Sequence, residues 1–317
     1  GTVWAWGENG AGELGDGTTK SRVDTPIQIP NLTNITAIAA GYYHSLALAK
    51  DGTVWAWGDN SEGGLGDGTQ QDRRTPIHIP NLSGIMAIAA GYDFSLALAG
   101  DGTVWSWGRN DYGQLGVGTG LQRQTPTHIP NLSGIMAIAA GEGHTLALAK
   151  DGTVWAWGGN IYGELGSLLG GHISALTGIT AIAAGEFYSL ALAKDGTVWA
   201  WGDDSFGQLG FGEPDMGGIL PTRIPNLTSI KDIAAKVYHT LALDKDGTVW
   251  EWGRDDTTIP TKLPSLTGIT AITAGEDHAL ALAGDGTVWA WGGNFFGQLG
   301  AGPMQNQISP VQVRVGP

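Results

Sequence analysis

Six variable triplets hold most of the side chains that could do chemistry. They are Tyr42-Tyr43-His44, Tyr92-Asp93-Phe94, Glu142-Gly143-His144, Glu186-Phe187-Tyr188, Val237-Tyr238-His239 and Glu276-Asp277-His278, each after Ala-Ala-Gly or its equivalent. A second set follows a recurring Trp-x-Trp-Gly phrase: Asn9, Glu62, Arg109 with Tyr112, Tyr162, Asp203 with Phe206, Arg254 with Asp255, and Phe295 with Phe296. Tyrosine and phenylalanine among carboxylates and two arginines is the composition of a protein-binding hot spot. That chemistry is recognition. No acid–base pair is placed for catalysis, and the chain reads as a non-enzyme.

His44, His144, His239 and His278 share one repeated slot, and with Glu142, Glu186, Glu276 and Asp277 they could surround a divalent cation. Phe94 and Tyr188 fill the same slot without a carboxylate, so a structural hydrogen bond to a neighbouring loop is preferred over metal ligation. No cofactor is expected. His78 and His128 fall in outer strands and His172 in a shortened loop, so these three look incidental.

Other chemistries fail their context. There is no cysteine, which removes disulfides, thiolate metal sites and a thiol nucleophile. Gly-rich fragments abound, but none opens a helix after a strand, no Walker lysine follows one, and no serine sits in a nucleophile elbow. The net charge of −14 argues against a nucleic-acid partner. No run of about 18 apolar residues occurs, so no membrane insertion is expected.

The elements that must position these triplets repeat. Asp-Gly-Thr-Val-Trp-x-Trp-Gly stands at Asp51, Asp101, Asp151, Asp195, Asp246 and Asp285, and the chain opens on Gly1-Thr2-Val3-Trp4-Ala5-Trp6-Gly7. The phrase glycines are separated by 51, 50, 50, 44, 51 and 39 residues, the mark of a repeat architecture. One repeat reads as four strands, Ile85–Ala90, Ser95–Ala99, Thr103–Trp107 and Thr125–Ile129, with Asp-Gly predicting a tight hairpin whose two central residues both take positive φ. The fold class is therefore all-β, a seven-bladed β-propeller of four-stranded antiparallel blades. All 14 tryptophans fall in the seven phrases, and the paired indoles are expected to pack on small residues of a facing blade. They are architecture.

Trp57-Gly58-Asp59-Asn60-Ser61-Glu62-Gly63-Gly64-Leu65-Gly66-Asp67-Gly68, with Ala40-Gly41-Tyr42-Tyr43-His44-Ser45-Leu46 before it, resembles the regulator of chromosome condensation repeat family over essentially the whole chain. The resemblance implies the seven-bladed propeller. The fourth repeat is shortened (Gly166 to His172), and the sixth has lost its Gly-rich loop (Trp252 to Thr258). Such loops look like those of the secreted bacterial β-lactamase inhibitory propellers. In these an aromatic ring grips the partner enzyme, which by position implies Tyr42, Tyr43, Tyr92, Phe94, Phe187, Tyr188 and Tyr238.

A single domain, 1–317, is expected, with an outer half-blade at 1–33 and complete blades at 34–83, 84–133, 134–177, 178–228, 229–267 and 268–317. The inner half of the first blade would stand before Gly1, supplied by a longer polypeptide or by strand exchange in an oligomer. The favoured reading is a secreted or surface-displayed bacterial module that binds a protein through the variable face, inhibitor-like if that partner is an enzyme. The alternative is a glycan- or small-ligand-binding propeller. The family's guanine-nucleotide exchange and chromatin role is held back by the acidic charge.

Overall fold

A computed structural model describes residues 1–18, 20–213, 215–253, 257–302 and 304–313, without the side chains at 215 and 216. Arg254 and Asp255 lie outside the described residues. Strands β1 (Trp4–Glu8) and β2 (Arg22–Gln28) form a two-stranded sheet. Four-stranded antiparallel sheets follow. The first is β3 (Ile35–Ala40), β4 (His44–Ala49), β5 (Val54–Gly58) and β6 (Arg73–His78). The second is β7 (Ile85–Ala90), β8 (Phe94–Ala99), β9 (Val104–Gly108) and β10 (Arg123–His128). The third runs β11 (Ile135–Ala140), β12 (His144–Ala149), β13 (Val154–Gly158) and β14 (Gly171–His172). The fourth is β15 (Ile179–Ala184), β16 (Tyr188–Ala193), β17 (Val198–Asp204) and β18 (Asp215–Arg223). The last two are β19 (Ile230–Lys236), β20 (His239–Asp244), β21 (Val249–Gly253), β22 (Thr261–Lys262) and β23 (Ile269–Ala274), β24 (His278–Ala283), β25 (Val288–Gly292), β26 (Gln307–Gln312). Among the described residues this is a propeller architecture of six four-stranded blades and one two-stranded partial blade.

The chain forms two compact units, Gly1–Thr145 with Phe296–Met304, and Leu146–Phe295 with Gln305–Val313. In the first, β7 packs on β3 and β4, and β11 on β7 and β8. In the second, β19 packs on β15 and β16, and β23 on β19 and β20.

Alternation along each strand builds two unlike faces. Ala97 pairs with Trp105 and Ser95 with Trp107 on one face, while Leu96 pairs with Ser106 and Leu98 with Val104 on the other. The Trp/Ala face of one blade packs on the Leu/Val face of the preceding one. Trp105, Trp107, Ala97 and Ala99 meet Leu46, Leu48, Val54 and Ala56, and Trp250, Trp252 and Ala242 meet Leu190, Leu192, Val198 and Ala200. The indoles thus face a mixed surface, with Ala37, Ala39 and Ala56 among the leucines and valine of the preceding blade, and they also have Ala97 and Ala99 beside them in their own sheet. Large-against-small packing holds both between blades and across strands.

The hairpins also differ from expectation. The amide of Gly52 donates to the Ala49 carbonyl at 3.0 Å, and that of Ala49 donates to the Thr53 carbonyl at 2.9 Å. Gly52 has φ of 85°, and Asp51 is not in the left-handed region. Asp51 acts through its side chain instead, accepting the Thr53 amide at 3.0 Å.

In four phrases the second indole N–H reaches into the Gly-rich loop of the preceding repeat. Trp57 donates to the Glu13 carbonyl at 2.6 Å, Trp107 to Gly64 at 2.8 Å, Trp201 to Glu164 at 2.7 Å and Trp252 to Gln208 at 2.9 Å. Within the first unit Trp6 donates to the Gln298 carbonyl at 2.8 Å. A hydroxyl seconds the same bond: Ser45 on Glu13, Ser95 on Gly64, Ser189 on Glu164 and Thr240 on Gln208, at 2.8–2.9 Å.

Candidate functional site

In four repeats the triplet loop and the loop after Trp-Gly are tied together by a main-chain hydrogen bond. The amide of Asp59 donates to the Tyr43 carbonyl at 2.8 Å, that of Arg109 to Asp93 at 2.9 Å and that of Asp203 to Phe187 at 2.9 Å. The approach requires glycine at the phrase end. A Cβ on Gly58, at φ of 105°, would stand 2.4 Å from the Tyr43 oxygen.

In the first unit this brings three tyrosines together. The ring centroids of Tyr42 and Tyr92 are 4.6 Å apart, those of Tyr43 and Tyr92 5.6 Å in an edge-on pose, and those of Tyr42 and Tyr43 6.1 Å. A hydrogen bond with Tyr43 that engages the Tyr92 hydroxyl proton, burial and the nearby Asp93 and Glu142 push the Tyr92 phenol up to about 12. Beside them Arg109 meets Asp111 at 2.8 Å and Asp93 at 3.8 Å, and its guanidinium lies 5.8 Å from the Tyr112 ring centroid. Burial, Asp59 and Glu62 raise the Asp93 carboxyl to about 6 against the pull of Arg109. Tyr112 also covers Gly143, where a Cβ would come within 2.9 Å of the ring, and it is 46% exposed.

The second unit carries two aromatic pairs. Tyr162 and Phe187 lie 5.0 Å apart, and Phe206 and Tyr238 4.2 Å. Phe206 and Phe295 are exposed, as are Glu276 and Asp277, while Glu186 is half-buried. Phe296 in the first unit is half-buried and its amide donates to the Gln298 side chain at 2.8 Å. Lys236 takes the place that Gly41, Gly91, Gly141, Gly185 and Gly275 hold in the other repeats. Burial brings its ammonium down to about 8, against the pull of Glu276.

Two expected contact residues are not on the surface. Phe94 and Tyr188 are wholly buried. Both sit in the His slot, whose side chain reaches sideways to the next repeat. His44 Nε2 is 2.9 Å from the Ser95 hydroxyl, and the Tyr188 hydroxyl is 2.8 Å from the Thr240 hydroxyl and 2.8 Å from the His239 carbonyl. At His44 and Tyr188 the slot makes a hydrogen bond to the next repeat, whereas His239 meets Glu251 of its own repeat and Phe94 packs without one. Among the described residues no group of three His, Asp or Glu is gathered as a metal site would need.

The outer-strand histidines have a place after all. His172 is in strand β14, not in a loop, and pairs with Trp155, as His78 pairs with Trp55 and His128 with Trp105. The ring centroids are 5.7–6.0 Å apart. Asp59 and Asp111 are the charged residues that the aromatic pattern alone does not select. Asp59 directly follows Trp-Gly, the position Arg109 holds one repeat later, and that variable position was the available signal.

The family model described as the RCC1-like domain matches residues 1–174, and models of the regulator of chromosome condensation (RCC1) repeat match 179–208, 269–298, 195–243 and 285–317. Human protein RCC2 is 46% identical over 74 residues, 23% of this chain and 14% of that protein. The RCC1 domain-containing protein RUG3, mitochondrial, of Arabidopsis thaliana is 40% identical over 76 residues, 23% of this chain and 17% of that protein. These curated relatives are thus matched over less than a fifth of their length. The crystal structure of Prp20p from Saccharomyces cerevisiae, described with its binding to Gsp1p and histones, superposes with a TM-score of 0.90 at 28% identity. The superposition covers 99% of this chain and 86% of that one. These relatives overturn the expected extracellular or bacterial-surface location: they are eukaryotic, one is mitochondrial, and one is described with histones.

Proposed function

The chain belongs to the RCC1-like domain family, and we propose that it is a non-catalytic protein-binding domain that engages its partner through the loops carrying the aromatic side chains. The observation that carries this reading is the first-unit cluster, with Tyr42, Tyr43 and Tyr92 in mutual contact beside an arginine held by two carboxylates. Rigid aromatic groups lose little entropy on binding, and an arginine already fixed in place adds a directed donor. Its likeness to Prp20p makes Gsp1p and histones the first proteins to test.

The test replaces Tyr112 by a photoreactive benzoylphenylalanine, with Lys50 in a hairpin turn replaced in parallel. Cross-linking to Gsp1p, to histones or to a protein of the native extract should occur at 112 and not at 50. A Tyr42→Ser/Tyr92→Ser variant that keeps its fold should lose the product. Equal labelling at both positions, or labelling untouched by the tyrosine changes, rejects the reading.

A further inference from the structure

The charges around the tyrosine cluster are one-sided. Asp59, Glu62, Asp93, Asp111 and Glu142 interact with or flank it, and Arg109 is the cation among them, already engaged by Asp93 and Asp111 and lying over Tyr112. Asp59, Glu62 and Glu142 stand in no described ion pair. Asp59 accepts its hydrogen bonds from Ser61, at 2.7 and 3.0 Å. Burial first, and then repulsion from Asp59 and Glu62, raises the Asp93 carboxyl to about 6.

Building on the protein-binding reading, we propose that the surface around Tyr42, Tyr43 and Tyr92 is a docking site for an extended, lysine- and arginine-bearing segment of a protein partner. Charge complementarity selects that occupant. A cation laid on a tyrosine face gains quadrupole attraction, and a carboxylate beside the same ring adds an ion pair. The loops of three successive repeats carry these groups, Glu62 in one, Tyr92 in the next and Glu142 in the third, so an extended segment can place successive cations on Glu62 and Glu142 across the tyrosines. An acidic segment or a phosphate-bearing ligand would meet like charge.

Fluorescence anisotropy with a fluorescein-labelled peptide of alternating lysine and serine, and its glutamate and serine counterpart, tests this. The lysine peptide should bind and the glutamate peptide should not. An Asp59→Asn/Glu62→Gln/Glu142→Gln variant and the Tyr42→Ser/Tyr92→Ser variant should each weaken binding by about tenfold or more. An Asp51→Asn/Asp101→Asn/Asp151→Asn variant removes as much charge from the hairpin turns and should change binding by less than about twofold. Equal weakening by the hairpin variant, or binding of both peptides, overturns the proposal, since the overall charge of −14 would then be acting. If cross-linking at position 112 persists while the lysine peptide fails to bind, this inference falls and the protein-binding reading stands. Loss of both rejects both.

Discussion

Trp291 donates its indole N–H to a carboxylate oxygen of Glu251 at 2.9 Å, where the indoles of Trp6, Trp57, Trp107, Trp201 and Trp252 donate to main-chain carbonyls. The sixth repeat has no Gly-rich loop to offer such a carbonyl. Its phrase carries Glu251 where the other six carry Ala5, Ala56, Ser106, Ala156, Ala200 and Ala290. The hydroxyl that seconds the bond elsewhere is also gone, because Ala279 stands where Ser45, Ser95, Ser189 and Thr240 stand. The same Glu251 oxygen meets His239 Nε2 at 2.5 Å. Three departures from the repeat thus share one cause: a side chain has replaced a loop.

Glu251→Ala should therefore cost far more than a surface substitution, about 2–4 kcal/mol, because it orphans the Trp291 donor and the buried His239. Glu251→Gln keeps an acceptor and should cost about 1–2 kcal/mol. Chemical denaturation compares the two. Equal, small losses would show that water satisfies both groups and that the carboxylate is incidental.

This replacement was written in the sequence but not readable from one repeat. Glu251 and Ala279 are 28 residues apart and become related only once register places both beside Trp291. The four-strand repeat was legible, because alternation and turn residues are local: Ile85–Ala90 is a strand at its predicted bounds. The site was legible as a set of positions. Burial was not, since Tyr92 stands in the loop and Phe94 opens strand β8 two residues later, and the path of the loop into the strand, which the sequence does not spell out, decides which ring turns inward.

Asp93 and His144 should oppose each other in acid. Asp93 has a folded-state pKa of about 6, above its usual value near 3.8, so the folded state binds the extra proton between those limits and stability falls as pH rises through that window. His144, only 1% exposed, is lowered to about 4 from 6.5, so its contribution is present above 6.5 and is lost as pH falls towards 4. The His144 effect is about 3 kcal/mol across its window. That of Asp93, which is partly solvated, is on the order of 1 kcal/mol. Denaturation from pH 4 to 7 should show a steeper loss in acid for Asp93→Asn and a shallower one for His144→Phe, the ring repeat three already carries at Phe94. Parallel profiles for both variants and wild type would refute the assignment.

Tyr188→Phe separates structure from recognition. Removing the hydroxyl leaves the Thr240 hydroxyl and the His239 carbonyl without it, so stability should drop by about 1–2 kcal/mol. Cross-linking at the loop surface should stay at the wild-type level, since Tyr188 is wholly buried. A selective loss of partner capture in a variant of unchanged stability would return Tyr188 to the contact set.

Gly58→Ala tests whether the tied loops hold the tyrosine cluster in place. A methyl at φ of 105° would lie 2.4 Å from the Tyr43 oxygen and 2.8 Å from the His44 Cα, both backbone atoms that cannot swing aside. Backbone strain and the displaced loop together should cost about 2–4 kcal/mol. Gly84→Ala is the control, because Gly84 also has positive φ, 62°, but open space around the added methyl, so strain alone of about 1 kcal/mol remains. If the loop is the anchor of the cluster, Gly58→Ala should also move Tyr43 off Tyr92 and bring the Tyr92 phenol down from about 12, since the Tyr43 hydrogen bond is its largest cause. Spectrophotometric titration of the tyrosines reads that shift directly. Loss of stability without a change in the titration would mean that Tyr43 and Tyr92 hold each other independently of the glycine, and that the clash is absorbed on the strand side.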